Sequence, residues 1–247
     1  MLDYGMEKVH IGTSGFYYDH WIGCCYPEGI SKRELLPAYA QTFSTVEINS
    51  TFYHFPRQST LLHWLEATPE DFRFSLKAHR SITHYHRLDS GDLRAFMHQI
   101  KPLRPKLGVI LFQLPPSLKL DLPLLDAFLS ELPRGYRYAV EFRNDSWLGD
   151  LLFELLALHN VSFCINDFDR KETPWIATAE HVYIRMHGPL GRYRGKYPEA
   201  ALQRLSEEIL SLREAGRELY CYFNNDMEGF AWENARELEA LLGEAGG

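Results

Sequence analysis

Eight short runs rich in β-branched, aromatic and aliphatic residues, at 8–13, 44–48, 72–77, 107–113, 137–142, 161–166, 181–187 and 219–224, punctuate the chain and read as strands. Between most of them the apolar residues recur at three- and four-residue spacing, as in Leu35-Leu36-Tyr39-Ala40, Leu151-Leu152-Leu155-Leu156 and Leu202-Leu205-Ile209-Leu212. That spacing is the signature of helices with one buried face. Strands separated by helices must pair in parallel through crossovers. Eight repeats in 247 residues favour closure into a single (β/α)8 TIM-like barrel, with an open doubly wound sheet as the alternative.

Local signals support this register. Ser31 ahead of Lys32-Arg33-Glu34 forms a capping box, Ser59 or Thr60 can cap the second helix, and Asp89 or Ser90 the third. Segment 168–180, with Lys171-Glu172-Thr173-Pro174-Trp175, offers only a short connector, so the sixth crossover helix is expected to be vestigial. No linker, internal repeat or shift in composition divides the chain, which reads as one domain over 1–247.

The charge balance excludes little. A formal charge of -7 and a pI near 5.9 argue against a protein that coats nucleic acid through net charge, while leaving room for a local basic cleft. Met1 to Lys8 lack a basic stretch leading into an apolar core, and no run of about 18 apolar residues occurs. The expectation is a cytoplasmic protein with no membrane partner. The four cysteines, Cys24, Cys25, Cys164 and Cys221, lack zinc-type spacing.

Polar residues gather where the strands end. Glu47/Asn49, Glu141/Arg143, Arg185/His187 and Tyr222/Asn224 each stand two residues apart, the spacing that puts side chains on one face of a strand. Such layouts recurring at four strand ends point to a built polar site, because unpaired charge is too costly to bury by accident.

The ordered motifs Gly12-Thr13-Ser14-Gly15-Phe16, Glu47-Ile48-Asn49-Ser50-Thr51-Phe52-Tyr53, Phe112-Gln113-Leu114-Pro115-Pro116, Glu141-Phe142-Arg143, Arg185-Met186-His187-Gly188 and Tyr222-Phe223-Asn224-Asn225-Asp226 together resemble the DUF72 (YecE-like) family. The resemblance runs from the first strand to the last helix and extends to Lys77, Thr83-His84 and Trp147. It implies a TIM-barrel-like fold and no particular reaction, since fold alone does not carry function. One departure stands out: relatives carry His-Pro after the Glu-x-Arg, where this chain has Asn144-Asp145. A mechanism needing an imidazole there is put in doubt.

Barrel active sites draw on several strand ends at the C-terminal face. Here that face would supply acids, bases and amides together, an inventory suited to a small polar or anionic ligand: arginines fork onto phosphate or carboxylate and amides read hydroxyls. Glu47, Glu141, His187 and Lys77 are the candidates for proton transfer or covalent chemistry. Asn49, Tyr53, Gln113, Arg143, Trp147, Arg185, Asn224 and Asn225 are the candidate substrate contacts. Each glutamate could equally anchor a neighbouring arginine, and the polar set could be an ion-pair network filling the barrel end.

The run Gly191-Arg192-Tyr193-Arg194-Gly195-Lys196-Tyr197 interleaves cations with aromatics after strand seven, where this fold often binds phosphate. Arg192, Arg194 and Lys196 are therefore candidate phosphate or nucleic-acid contacts, or members of a mobile solvated lid. His79, His84 and His86 fit a metal site only loosely, and neither metal nor cofactor is implied. Phosphate-loop, dinucleotide and nucleophile-elbow fingerprints are missing. The expected function is a hydrolase or lyase acting on a phosphorylated or carbohydrate-like compound at the C-terminal mouth; the alternative is a nucleic-acid-binding or nuclease-like protein using the 192–197 loop. Oligomeric state is not fixed by these features.

Overall fold

The computed structural model describes residues 9–88 and 90–244. The expected cap at Asp89 and the reading of the first eight residues lie outside that range. Eight strands form: β1 (Val9–Thr13), β2 (Thr45–Ile48), β3 (Arg73–Lys77), β4 (Leu107–Gln113), β5 (Arg137–Glu141), β6 (Ser162–Asn166), β7 (His181–Met186) and β8 (Glu218–Phe223). The helices between them are α1 (Leu35–Tyr39), α2 (Ser50–Tyr53), α3 (Gln58–Glu66), α4 (Ser90–Ile100), α5 (Leu122–Ser130), α6 (Asp150–Leu158), α7 (Glu199–Glu214) and α8 (Phe230–Glu244). The strand order β1-β8-β7-β6-β5-β4-β3-β2, with a parallel bridge between Ser14 and Glu47 joining the two ends of that order, is the order of a (β/α)8 barrel. The strand expectations hold to within about one residue. Between β6 and β7 the chain makes only a single 3-10 turn, Phe168–Arg170, so that crossover lacks its α-helix as expected.

Two compact units divide the chain. One comprises the residues up to Glu47, Ile165–Trp175 and His181 onward; the other comprises Ile48–Cys164 and Ile176–Glu180.

In the first unit, β8 pairs in parallel with both β1 and β7. Helix α8 lays Ala231, Trp232, Ala235, Leu238 and Leu242, all buried, along one face at three- and four-residue spacing. Trp232 meets Trp21, Tyr26, Tyr39 and Phe43 edge-on, with ring centroids 4.9–5.7 Å apart. Burying each such ring contributes roughly 2–3 kcal/mol. The Tyr39 hydroxyl lies 2.8 Å from the Thr13 hydroxyl and accepts the Thr13 N–H at 2.9 Å. Gly12 is required here: a Cβ at that position would overlap the Thr45 carbonyl oxygen.

In the second unit, β3, β4, β5 and β6 pair in parallel in sequence. The β3–β4 register shifts between Phe74 and Leu76, and the Ser75 hydroxyl takes up the Val109 N–H at 3.1 Å, satisfying a donor close to the irregularity. Buried Lys106 closes the C-terminal end of α3. Its ammonium donates to the carbonyls of Leu65 and Thr68 at 2.6 Å each, the charge sign that helix end favours.

The capping expectations are corrected in two places. Ser59 and Thr60 lie inside α3, which begins after Arg57 with no side-chain cap, because the chain turns from extended to helical one residue earlier. The Ser31 N–H does bond the Glu34 carboxylate at 3.0 Å, yet α1 starts only at Leu35. That box therefore closes a turn ahead of the helix rather than its first turn.

Candidate functional site

The same-face pairs straddle the strand ends. Glu141 is the last residue of β5, Arg185 the last but one of β7 and Tyr222 the last but one of β8, with Arg143, His187 and Asn224 past the ends. Asn49 leaves the strand altogether and turns helical at the start of α2. Two residues past a strand end, the shared-face rule no longer holds strictly, so each partner is placed by its own loop.

In the first unit, β1, β2 and β7 bring Ser14, Glu47, Tyr183 and Arg185 together. One carboxylate oxygen of Glu47 accepts from the Ser14 hydroxyl and the Arg185 guanidinium, both at 2.7 Å, and the other accepts from the Tyr183 hydroxyl at 2.7 Å. Glu47 and Arg185 are buried. Burial alone would raise the Glu47 pKa, but the charge and hydrogen bond of Arg185, with those of Ser14 and Tyr183, outweigh it and bring the carboxyl below its ordinary range. Glu47 is thus an ionised group at neutral pH, engaged by three donors. Tyr183, its donor, is pushed well above the usual phenol range by burial and by the Glu47 charge.

Just past β7, His187 is buried and its Nδ1 stands 3.2 Å from the Asn224 side-chain nitrogen. An amide that donates to Nδ1 leaves the proton of neutral imidazole on Nε2. The ring is flanked edge-on by Phe168 at 5.4 Å and Tyr193 at 5.5 Å between centroids. The His187 N–H donates to Asp167 at 2.6 Å, and the other oxygen of that carboxylate accepts from the Tyr197 hydroxyl. Burial raises the Asp167 pKa against those two bonds.

The loop after β7 is clamped rather than free. Its Tyr193 N–H returns to the His187 carbonyl at 2.7 Å, and Tyr197 exchanges bonds with Asn234 of α8: its N–H to Oδ1 at 3.0 Å and its carbonyl from Nδ2 at 3.1 Å. Asn225, fully buried, donates to the Gly195 carbonyl at 2.8 Å and to Asn234 at 3.1 Å. Gly188, at φ 100°, lets the chain turn back at the start of the loop; a Cβ there would overlap the Arg194 backbone. Of the three expected cationic contacts, Lys196 is held by Glu233 at 2.7 Å and Glu237 at 2.8 Å. Exposed Arg192 lies 3.5 Å from Asp169, and Arg194 is exposed.

In the second unit, Lys77 at the end of β3 donates to Gln113 at 2.8 Å and stands 4.2 Å over the Phe52 ring. His84 abuts that ring at 5.0 Å, and burial, then the Lys77 charge, lowers its pKa. Glu141, buried, pairs with Arg143 at 2.6 Å. Asn49 has a buried Oδ1 with no hydrogen-bond partner among the described residues, and Tyr53 is exposed. Trp147 is buried, donates to the Leu118 carbonyl at 2.8 Å and packs on Phe142, so its ring serves the core. Asn144 bonds the Pro116 carbonyl at 2.7 Å and caps the turn Asp145–Trp147. His79 and His86 are engaged by Ser81 and Asp92. Among the described residues no group of three or more His, Cys, Asp or Glu could hold a metal ion.

Two contributors escape a motif reading, Tyr183 and Asn234, while Tyr197 closes the 191–197 run but acts as a clamp for the loop. Tyr183 precedes Arg185 and His187 at the same two-residue period, a signal present in the sequence. Asn234, on a helix and distant in the chain, leaves none.

Residues 10–247 match the profile of the family described as "Protein of unknown function DUF72". Among curated proteins the chain is similar to "UPF0759 protein YecE" of Escherichia coli (strain K12), 34% identical over 139 residues, 55% of this chain; the match spans 48% of that relative, about half its length. It is also similar to "UPF0759 protein YunF" of Bacillus subtilis (strain 168), 26% identical over 95% of this chain and 94% of that protein. Among solved structures, the DUF72 family protein TM1631 of Thermotoga maritima superposes with a TM-score of 0.87 at 32% identity, covering 95% of this chain and 99% of that one. The DUF72 family protein EF0366 of Enterococcus faecalis V583 shares the fold, at a TM-score of 0.81, 22% identity and 95% of each chain.

Proposed function

Since this chain belongs to the DUF72 family, whose description assigns no reaction, we propose from its own residues that it is a hydrolase or lyase acting on a phosphorylated or carbohydrate-like substrate at the carboxyl ends of its strands. The observation that carries this reading is His187: a buried imidazole, bonded by Asn224 and flanked by Phe168 and Tyr193, at the strand end where such barrels perform chemistry. Imidazole is the most common proton-transfer group in enzymes.

Roles follow from the partners. Glu47, saturated by three donors, does not move protons; it holds the Arg185 charge in place, and Glu141 does the same for Arg143. Within its own unit, each guanidinium suits phosphate or carboxylate. In the second unit, Lys77, bonded to Gln113, is a separate candidate anion contact. The nucleic-acid alternative rests on Arg192, Tyr193 and Arg194 at the exposed turn of the clamped loop, and is weakened by the carboxylates that hold Lys196. A cytoplasmic setting fits four free cysteines; among the described residues no helix is long and apolar enough to cross a membrane.

The test is turnover of a panel of sugar phosphates, phosphoesters and glycosides by wild type and His187→Gln. The expected result is a fall of at least about 10²-fold in kcat with binding retained. Undiminished kcat in His187→Gln would remove the imidazole from the chemistry.

A further inference from the structure

The loop after β1 carries an adjacent pair, Cys24-Cys25, that the site above does not use. Cys164 and Cys221 are buried in β6 and β8, whereas Cys24 is exposed and Cys25 half-buried. The two neighbouring sulfurs stand 3.5 Å apart, and the Cys24 thiol donates to the His20 carbonyl at 3.4 Å. Both face Gly229, at φ 78°, where a Cβ would come 2.9 Å from the Cys25 sulfur and 3.3 Å from that of Cys24. The glycine makes room for the dithiol.

We propose that Cys24 and Cys25 form a reversible oxidation site at which a hydroperoxide converts the vicinal dithiol into a disulfide. The exposed Cys24 sulfur attacks the peroxide; the O–O bond breaks, giving a Cys24 sulfenic acid and releasing water or an alcohol. The Cys25 sulfur then attacks the Cys24 sulfur. The S–S bond forms and the sulfenic hydroxyl departs as water with the Cys25 proton, so two hydrogens and two electrons have passed to the peroxide. Burial, then the bond to Cys24, pushes the Cys25 thiol up, which leaves the exposed Cys24 as the sulfur that reacts first; Cys25 loses its proton to the departing hydroxyl in the second step.

Adjacent residues are separated by only about 3.8 Å between Cα atoms, below the roughly 4.4–6.8 Å of ordinary disulfides. The ring is strained, and strained, exposed disulfides are the easily reduced, regulatory kind. Closing the sulfurs from 3.5 Å to about 2.0 Å moves the two atoms that line the space at Gly229. That residue ends the turn Met227–Gly229 from which α8 starts, and Asp226, just ahead of it, accepts the Trp21 indole N–H at 2.8 Å through its carbonyl. The state of the pair is therefore transmitted to the segment that follows Asn224 and Asn225.

The test is hydrogen peroxide treatment of the full chain, read by intact mass, thiol counting and hydrogen exchange, on wild type, Cys24→Ser and Cys25→Ser. The expected results are loss of two hydrogens from wild type, restored by dithiothreitol; a sulfenic acid at Cys24 of Cys25→Ser, trapped by dimedone; at least about tenfold slower oxidation of Cys24→Ser; and altered exchange at the amides of Met227 to Phe230 in the oxidised protein. Oxygen addition to Cys24 of wild type without hydrogen loss, a disulfide between two chains through Cys24, or equal oxidation of Cys24→Ser would overturn the site, and unchanged exchange would overturn its coupling to the turn.

Discussion

At the scale of single residues, the Glu47–Arg185 pair illustrates a buried charge whose worth lies in what happens when it is broken. Both side chains are buried, so Glu47→Gln leaves a guanidinium without its counter-charge, and a loss of about 3–5 kcal/mol is expected in urea unfolding at neutral pH. The pH dependence follows from the lowered carboxyl. Its stabilisation is fully present above the ordinary glutamate value and is lost as the pH falls through the lower folded value. The gap between wild type and Glu47→Gln should therefore close in acid; a gap that stays constant would mean that the pair is not ionised.

Glu239 on α8 behaves oppositely. Burial pushes it up to about 7, partly offset by Arg236, so the folded state resists its ionisation. The penalty is complete above about pH 7 and gone below the ordinary glutamate value. Glu239→Gln is expected to stabilise the protein at pH 8 and to have no charge-related effect at pH 4, a comparison that thermal unfolding at the two values makes directly.

At the scale of elements, the loop between β7 and α7 is held by Asn234, whose amide reaches both the N–H and the carbonyl of Tyr197. Asn234→Ala leaves those buried groups unpaired, at about 1–3 kcal/mol, and the expected sign is faster hydrogen exchange at the Tyr197 amide with the strands unaffected. Unaltered exchange there would show that the loop is held by its turns alone.

The strands were legible because β-rich runs and helical spacing are local patterns, and β4 matches its expected limits, 107–113, residue for residue. So was the missing sixth crossover helix, since Pro174 and the polar run beside it cannot sustain a helical face. The clamp was not legible. Asn234 acts on Tyr197 across 37 residues, and a lone asparagine in an amphipathic helix carries no periodic signal. The role of Glu47 was likewise open until its donors were seen: the sequence placed it at a strand end, but only the bonds from Ser14, Tyr183 and Arg185 make it an anchor.

At the scale of the whole molecule, the family profile spans residues 10–247 and brings a fold without a reaction. The proposed function requires a small polar or anionic compound, bound at the strand ends, on which His187 acts. The measurement that tests it most directly is a thermal-shift series on wild type with sugar phosphates, free sugars, glycosides and short oligonucleotides at low and moderate salt. A ligand at about 100 times its Kd stabilises by about 2.7 kcal/mol, several degrees for a chain of this length. The expected result is stabilisation by a phosphorylated or carbohydrate-like compound. Stabilisation by oligonucleotides alone, fading steeply as salt is added, would contradict it.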